Sequence, residues 1–572
     1  MTVTLAGTLS QLASLARIRG DAAQEQLLKR AEALVRARHI ESDADLGVIL
    51  DDPPAESDPD MLRPLRHMYE AGAWVIFESA IADLPADLRW LYESGAISLE
   101  QLASLHDQRG VTALADLAAT IDEQTIRSVA GLDETVEQAV AAALSGLRIA
   151  IPRIPLGRAV GLVDPILSHL RSLPGIEWAL PAGSLRRAQD MVSDIEVVAA
   201  ATDPSSALET IPGLPDVDRL LLKSARRVYF VMNRTQIGVR FPEPDNAGST
   251  LLYLTGSTGH FNLLRGRASD RGWRLTSQGL QGSPGERRTA ASEEEIYAAL
   301  DLPLIPPEIR NGEDEIAAAE RGALPQLLTE QDIRGDLHMH SVWSDGRDTI
   351  ETMVSTCRDL GYEYVAITDH SPSSGLTQTI TVQNVRRQAE EIEQLRERFP
   401  DITILHGCEV DILAEGRLDF PDRMLERFDI VLASLHHGAG HGPDQLLRRY
   451  QAAMRHPLVT VITHPTNRLV PHRPGYDLDY DRLIEDAALT GTLLEIDGAP
   501  AHLDMDGALA RRAIAGGVTV TVDSDCHRAD MLARQMHLGV ITARRGWVEA
   551  RHVVNTRPLA DVRAFIAQKR AR

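Results

Sequence analysis

The chain has 572 residues, 44% of them hydrophobic and 25% charged, with a formal net charge of −23. The length suits three or four folded domains, and the acidic balance excludes a global electrostatic footprint for nucleic acid, so any such contact would come from local patches. Cys357, Cys408 and Cys526 are too few for a disulfide framework, the N-terminal stretch has no leader pattern and no apolar run reaches membrane-spanning length, so a reducing cytoplasm without membrane attachment is the expected setting.

Apolar spacing predicts helices over 9–19 and 24–38. Eight acids without Lys or Arg, together with Pro53-Pro54, predict an acidic loop over 41–60. Short helices follow from 88 to 147, with turn signals at Gly95-Ala96-Ile97 and Gly131-Leu132-Asp133. From Arg148 strands and helices mix. A strand-like IEWALP runs into Gly183, Ser184, Arg186 and Arg187, and ten residues past Ser184 comes the acidic strand Asp194-Ile195-Glu196. Tyr253, Thr255, Gly256 and Ser257 follow in LLYLTGSTGH, and then Arg265, Arg267, Arg271 and Arg274 in a stretch with few acids, which reads equally as a DNA or phosphate contact patch and as a solvated surface.

These motifs resemble the family X DNA polymerases (DNA polymerase beta-like), with ASEEEIYAALDLPLIPPEIR matching the end of their thumb. The resemblance implies a helical, 8-kDa-like domain over 1–90, a fingers-like helical region over 91–148, an α+β palm over 149–250 and a thumb over 251–312. It also implies nucleotide binding by Gly183, Ser184, Arg187, Asp194, Glu196, Tyr253 and Gly256, with Mg at the palm and DNA and dNTP as partners. The departures are chemical. Where the family holds two metals with three carboxylates, the second is here Glu196 and the third position, in IGVR, is Gly238, which has no donor to offer. Each helix-hairpin-helix turn lacks its second glycine, replaced by Ile97 and Asp133, and Lys29 alone is available for a Schiff base in the N-terminal region. Polymerisation is therefore expected to be lost or weak, unless Glu243 or Asp245 rebuilds the site.

After an acidic linker over 313–332, the last 240 or so residues repeat one pattern: an apolar, β-branched run ending in a metal-type ligand, with helix-like stretches such as 382–398 and 444–455 between. GDLHMHSVWSDG carries His338, His340 and Asp345, and the alternating histidines would share a strand face. The other runs end at Asp369 and His370, Glu409, His436 and His437, His464, Glu495 and Asp497, and Asp525 and His527. In a β/α barrel all C-terminal strand ends open on one face, so these groups would converge. Imidazole and carboxylate without a matching thiolate suit Zn, Mn or Fe, and such ions serve phosphoester hydrolysis.

The segment 333–572 resembles the PHP (polymerase and histidinol phosphatase) domain, a distorted β/α barrel holding up to three metal ions. The resemblance implies metal ligation by His338, His340, Asp345, His370, Glu409, His436, His464, Asp525 and His527, with Glu409 bridging two of two or three divalent ions and holding the bridging water. His437 and His441 would be proton-transfer groups beside it, or loop residues, and Arg417 a phosphate contact. Almost the whole chain resembles bacterial PolX proteins: N-terminal all-α, central α+β palm and thumb, C-terminal PHP barrel. That resemblance implies 3′-to-5′ exonuclease or 3′-end processing on primer-template or gapped DNA in repair. An active polymerase with an unorthodox palm site, and a small-molecule phosphatase, are the alternatives.

Overall fold

The computed structural model describes residues 4–54, 58–150, 153–193, 195–374, 378–436, 438 and 440–572; Asp194 and His437 lie outside the described residues. The chain forms two compact units, one of Met1–Arg153, Val160–Arg186 and Ser193–Leu304, the other of Ile154–Ala159, Arg187–Val192 and Ile305–Arg572.

The first unit begins with helices Leu5–Ile18 and Ala22–Ala37, capped by Thr4 and Asp21, whose side chains accept from the Gly7 and Gln24 N–H groups. Their apolar faces, with Leu9, Leu15, Leu28 and Val35, join one helical core. The acidic stretch 41–60 is largely helix, not loop. Helix Asp43–Asp51 starts on a capping box of Ser42 and Asp45, and helix Pro59–Ala71 starts on Asp58, which accepts from the Asp60 N–H. Acids near helix N-termini are favoured by the dipole, so a high count of acids did not argue against helix. Both hairpin turns keep a left-handed glycine. Gly95 (φ +74°) links helix Ala86–Glu93 to Leu99–Arg109, and Gly131 (φ +83°) precedes Glu134–Ala150, with Ile97 and Leu132 buried as anchors.

A five-stranded sheet follows, of β1 (Ile176–Pro181), β2 (Ile195–Ala201), β3 (Val217–Lys223), β4 (Arg227–Met232) and β5 (Thr235–Arg240), in the order β1-β2-β5-β4-β3. Only β2 and β5 run parallel, and their register sets Glu196 beside Gly238, whose partner on β4 is Tyr229. Helices Ala247–Thr255 and Thr258–Ser269, a small three-stranded antiparallel sheet and helix Glu293–Ala299 complete the unit.

In the second unit β6 (Gly335–Asp336), β7 (Tyr364–Ile367), β8 (Thr403–Asp411), β9 (Ile430–Ser434), β10 (Val461–Ile462), β11 (Leu493–Asp497) and β12 (Val520–Asp523) lie side by side in chain order, all parallel. A bridge between Met339 and Cys526 ties the first edge to the last, so the sheet nearly closes into a barrel. Alternate strand residues enter different cores: Tyr364 and Ala366 join Leu405, Leu432, Val461 and Leu493, while Val365 and Ile367 pack with Ile350 and Met353 of a flanking helix. Burial on both faces explains why these strands read as continuous apolar runs. Helices Val382–Arg398 and Pro443–Arg455 stand where the spacing predicts them. The stretch 313–332 belongs to this unit: Leu328 is fully buried in its core and Asp314 pairs with Arg511 at 2.6 Å. Among the described residues no helix is long and apolar enough to cross a membrane.

Candidate metal centre

The barrel brings the nine expected donors together at its C-terminal strand ends. Glu409, on β8, lies at the middle. Its Oε2 is 2.9 Å from His370 Nδ1, 3.3 Å from His338 Nε2 and 3.5 Å from His340 Nε2, and its Oε1 is 2.9 Å from His464 Nε2 and 3.3 Å from His436 Nε2. Asp525 Oδ1 is 3.0 Å from His340 Nε2 and 3.6 Å from His338 Nε2, while Asp345 reaches His527 Nε2 at 3.2 Å and His370 Nε2 at 3.6 Å. Among the described residues three donor groups result: His340, Asp345, His370 and His527; His338, His340 and Asp525; and His370, Glu409 and His436. His464 (φ +29°) and Asp525 (φ +46°) adopt a backbone conformation that L residues rarely take, a strain that persists only where the surroundings hold it.

These residues fit metal ions. His338 Nε2 and His340 Nε2 approach to 3.1 Å, closer than two ring nitrogens would settle with no shared proton or cation. Asp345 Oδ1 is buried without a hydrogen-bond partner in the protein, and His370 Nδ1, although 2.9 Å from Glu409 Oε2, is not aligned to hydrogen bond with it. The electrostatics agree. Burial opposes charge on His436, yet the carboxylates of Glu409 and Asp411 raise it to about 10; His527 is likewise raised against burial, to about 9, by Asp345 and Asp525. Burial and the neighbouring His370 and His527 hold His340 down at about 3, so that one is a neutral donor. A site that draws protons onto buried imidazoles equally draws cations.

Further residues orient the donors. His338 Nδ1 lies 2.7 Å from Glu495 Oε1 and 2.9 Å from Thr463 Oγ1, and Glu495 also accepts the His464 N–H at 2.7 Å. His436 Nδ1 lies 3.1 Å from Asp411 Oδ1, and His527 Nδ1 3.0 Å from the Asp525 carbonyl. Such partners fix tautomer and ring plane. Asp369 is in none of these donor groups; it accepts from Ser341, Ser344 and Gln388, which fastens the loop carrying Asp345. Asp411 was within reach of the sequence, since i and i+2 on β8 share a face with Glu409; His502, stacked on His464 with ring centroids 5.4 Å apart, sits in a loop without pattern. Arg417 is exposed, with Glu415 at 3.9 Å, and His441 Nδ1 lies 3.0 Å from Arg449 Nη1.

The polymerase-like residues are differently placed. Gly183 (φ +63°) opens the short helix Gly183–Arg186, in which Ser184 Oγ accepts the Ser193 N–H at 3.2 Å. Arg186 pairs with Glu293 at 2.7 Å. Arg187 belongs to the second unit. Glu196 is buried, and its oxygens accept from Tyr229 Oη at 3.0 Å and Arg240 Nε at 2.8 Å; Arg240 also pairs with Asp116. Tyr253 Oη donates to the Ala115 carbonyl at 2.9 Å, and Gly256 (φ +60°) caps its helix. Glu243 and Asp245 are exposed, and Glu243 is paired with Arg226 at 2.8 Å. In the arginine stretch, Arg265 binds Asp122, Arg267 the Leu300 carbonyl, Arg271 Asp301 and Arg274 the Asp122 carbonyl, so these side chains already have acceptors.

Residues 250–311 match the DNA polymerase beta thumb family and residues 336–487 the PHP domain family. The chain is 37% identical over 418 residues to the DNA polymerase/3′-5′ exonuclease PolX of Bacillus subtilis, an alignment covering 72% of this chain and 73% of that protein. Probable phosphatases of Syntrophotalea carbinolica and Caldanaerobacter subterraneus are 30% and 31% identical over 212 and 206 residues, which is 35% and 34% of this chain and 83% and 75% of theirs. With a thumb, a PHP barrel and an alignment spanning most of both chains, the protein belongs to the PolX family.

Proposed function

We propose that the chain is a metal-dependent phosphoesterase that shortens or trims DNA 3′ ends through the barrel centre, and that its palm no longer polymerises. The observation that carries this reading is the asymmetry between the two sites. At the barrel, His338, His340, Asp345, His370, Glu409, His436, His464, Asp525 and His527 converge with buried donor atoms left unpaired. At the palm, Glu196 is occupied by Tyr229 and Arg240, and Gly238 offers no donor. Bound at the barrel, two or three divalent ions, Mn or Zn with Fe as a further candidate, supply Lewis-acid polarisation of a phosphoester and activation of water. The chain's own part is to hold the donors: Glu409 would be the central donor, Glu495 and Thr463 fix His338, and Asp411 fixes His436. DNA is the partner suggested by the thumb and by the name of the Bacillus subtilis relative.

The test is Mn-dependent turnover of a 5′-labelled primer-template, with and without dNTPs, by wild type and by the His338→Ala/His340→Ala protein. Shortening should fall by more than about 100-fold in the variant, beyond the loss typical of removing an outer partner. Primer extension that survives the double substitution would overturn the reading of the palm. A second reading, hydrolysis of small phosphomonoesters, is favoured by the probable phosphatases that match the barrel alone; brisk cleavage of such esters beside intact DNA ends would establish it.

A further inference from the structure

A residue from the polymerase-like stretch of the sequence stands inside the barrel unit. The segment Arg187–Val192 belongs to the second unit, where Asp190 accepts from Arg468 Nη1 at 2.7 Å and also from Arg545. Arg468 is only 12% exposed, and its other donors are spent on the chain that follows β11. Its Nε donates to the His502 carbonyl at 3.0 Å and its Nη2 to the Leu503 carbonyl. The His502 ring in turn lies on the ring of His464, planes 25° apart and centroids 5.4 Å apart, and His464 Nε2 is 2.9 Å from Glu409. The backbone on both sides of this clamp is held in the left-handed region, at His464 (φ +29°) and Asn467 (φ +50°) before Arg468 and at Leu503 (φ +48°) beyond it. Conformations of this kind last only while neighbouring contacts enforce them. The two loops are tied further by the Thr466 N–H donating to Asp504 Oδ2 at 3.0 Å and the Val470 N–H donating to the Ala501 carbonyl at 2.7 Å.

We propose that Asp190 and Arg468 are positioning residues for the metal centre: Asp190 holds the Arg468 guanidinium, which fixes the His502 loop so that its ring seats His464 toward Glu409. The polymerase-like stretch thereby supplies a part of the hydrolytic site. The proposal rests on the reading of His464 as a ligand, and its readout is metal binding, not cleavage, so a failed nuclease assay would leave it standing.

The experiment uses the full chain stripped of metal, with Mn(II) as the probe in calorimetric titration and the melting temperature of the metal-free protein recorded beside it. Asp190→Asn and Arg468→Met should each weaken Mn binding by about 10-fold, the lower end of the range for outer partners of metal ligands. His502→Phe, which preserves the stacked ring, should bind Mn like wild type, whereas His502→Ala should not. Unchanged Mn affinity in Asp190→Asn and Arg468→Met would overturn the proposal, even if the metal-free protein melts earlier, because that pattern is a purely structural role. Should Arg468→Met fail to fold, Asp190→Asn, of equal size and still able to hydrogen bond, decides alone. His464→Ala is the reference: wild-type affinity there would remove the ligand reading and this proposal with it.

Discussion

At Gly238 the space that a side chain would need is already taken, with Tyr229 Cε1 2.5 Å and Glu196 Oε1 2.6 Å from where a Cβ would stand. Placing a carboxylate there is thus a packing insult as well as a chemical addition. Gly238→Asp should lower the stability of the first unit by about 1–3 kcal/mol, the usual cost of overpacking, and yield no primer extension, as read by urea melts and a gap-filling assay. Arg240 lies two residues on, between the carboxylates of Glu196 and Asp116. Removing one partner of a buried ion pair strands the rest, so Arg240→Met should cost about 3–5 kcal/mol in the same melts. The pH dependence has a definite sign. Burial pushes Asp116 up, but Arg227 and Arg240 outweigh it and hold the carboxyl well below its ordinary range. A depressed carboxylate stabilises the fold above its unfolded pKa of roughly 3.9 and loses that contribution as pH falls below it. Wild type should therefore lose stability on acidification below about pH 4, with a shallower loss in Arg240→Met. The sequence shows that Gly238 carries no donor. It does not show that Tyr229 and Arg240 hold Glu196 beside it, because those contacts depend on register between β2, β4 and β5.

Among the elements, the barrel strands were the most legible, since a run buried on both faces and closed by a ligand has few other readings. The ordering groups behind the ligands were less so. Glu495 was visible as a strand end, yet its task of gripping His338 and the His464 N–H follows only from the closure of β10 beside β11. The acidic stretch misled because several of its acids, Asp45, Asp58 and Asp60, cap or flank helix starts, a role that depends on position and not on number. The hairpin turns were placed correctly in the sequence, and their surviving glycines keep a left-handed backbone with open space around the Cβ position. Gly131→Ala should accordingly cost about 1 kcal/mol through backbone conformation alone, measured as a shift in the denaturation midpoint of the first unit.

At the scale of the molecule, ions held by the barrel and not by its unfolded chain must stabilise it by mass action, about 2.7 kcal/mol at a free concentration a hundred times the dissociation constant. Chelation should lower the melting of the barrel unit and spare that of the first unit, giving two calorimetric transitions that move apart. Domain order was legible from motifs, but the division in space was not, because Ile154–Ala159 and Arg187–Val192 belong with residues beyond Ile305. Ile154–Pro155 pairs with Met191–Val192, Arg534 donates to the Gly157 carbonyl, and Asp190 is gripped by Arg468 and Arg545. A protease that cuts once within 313–332 would therefore make a nick and not a release. The fragments should stay together through gel filtration until denaturant is added, and the second unit expressed from residue 305 onward would start life without its small two-stranded sheet, Ile154–Pro155 against Met191–Val192.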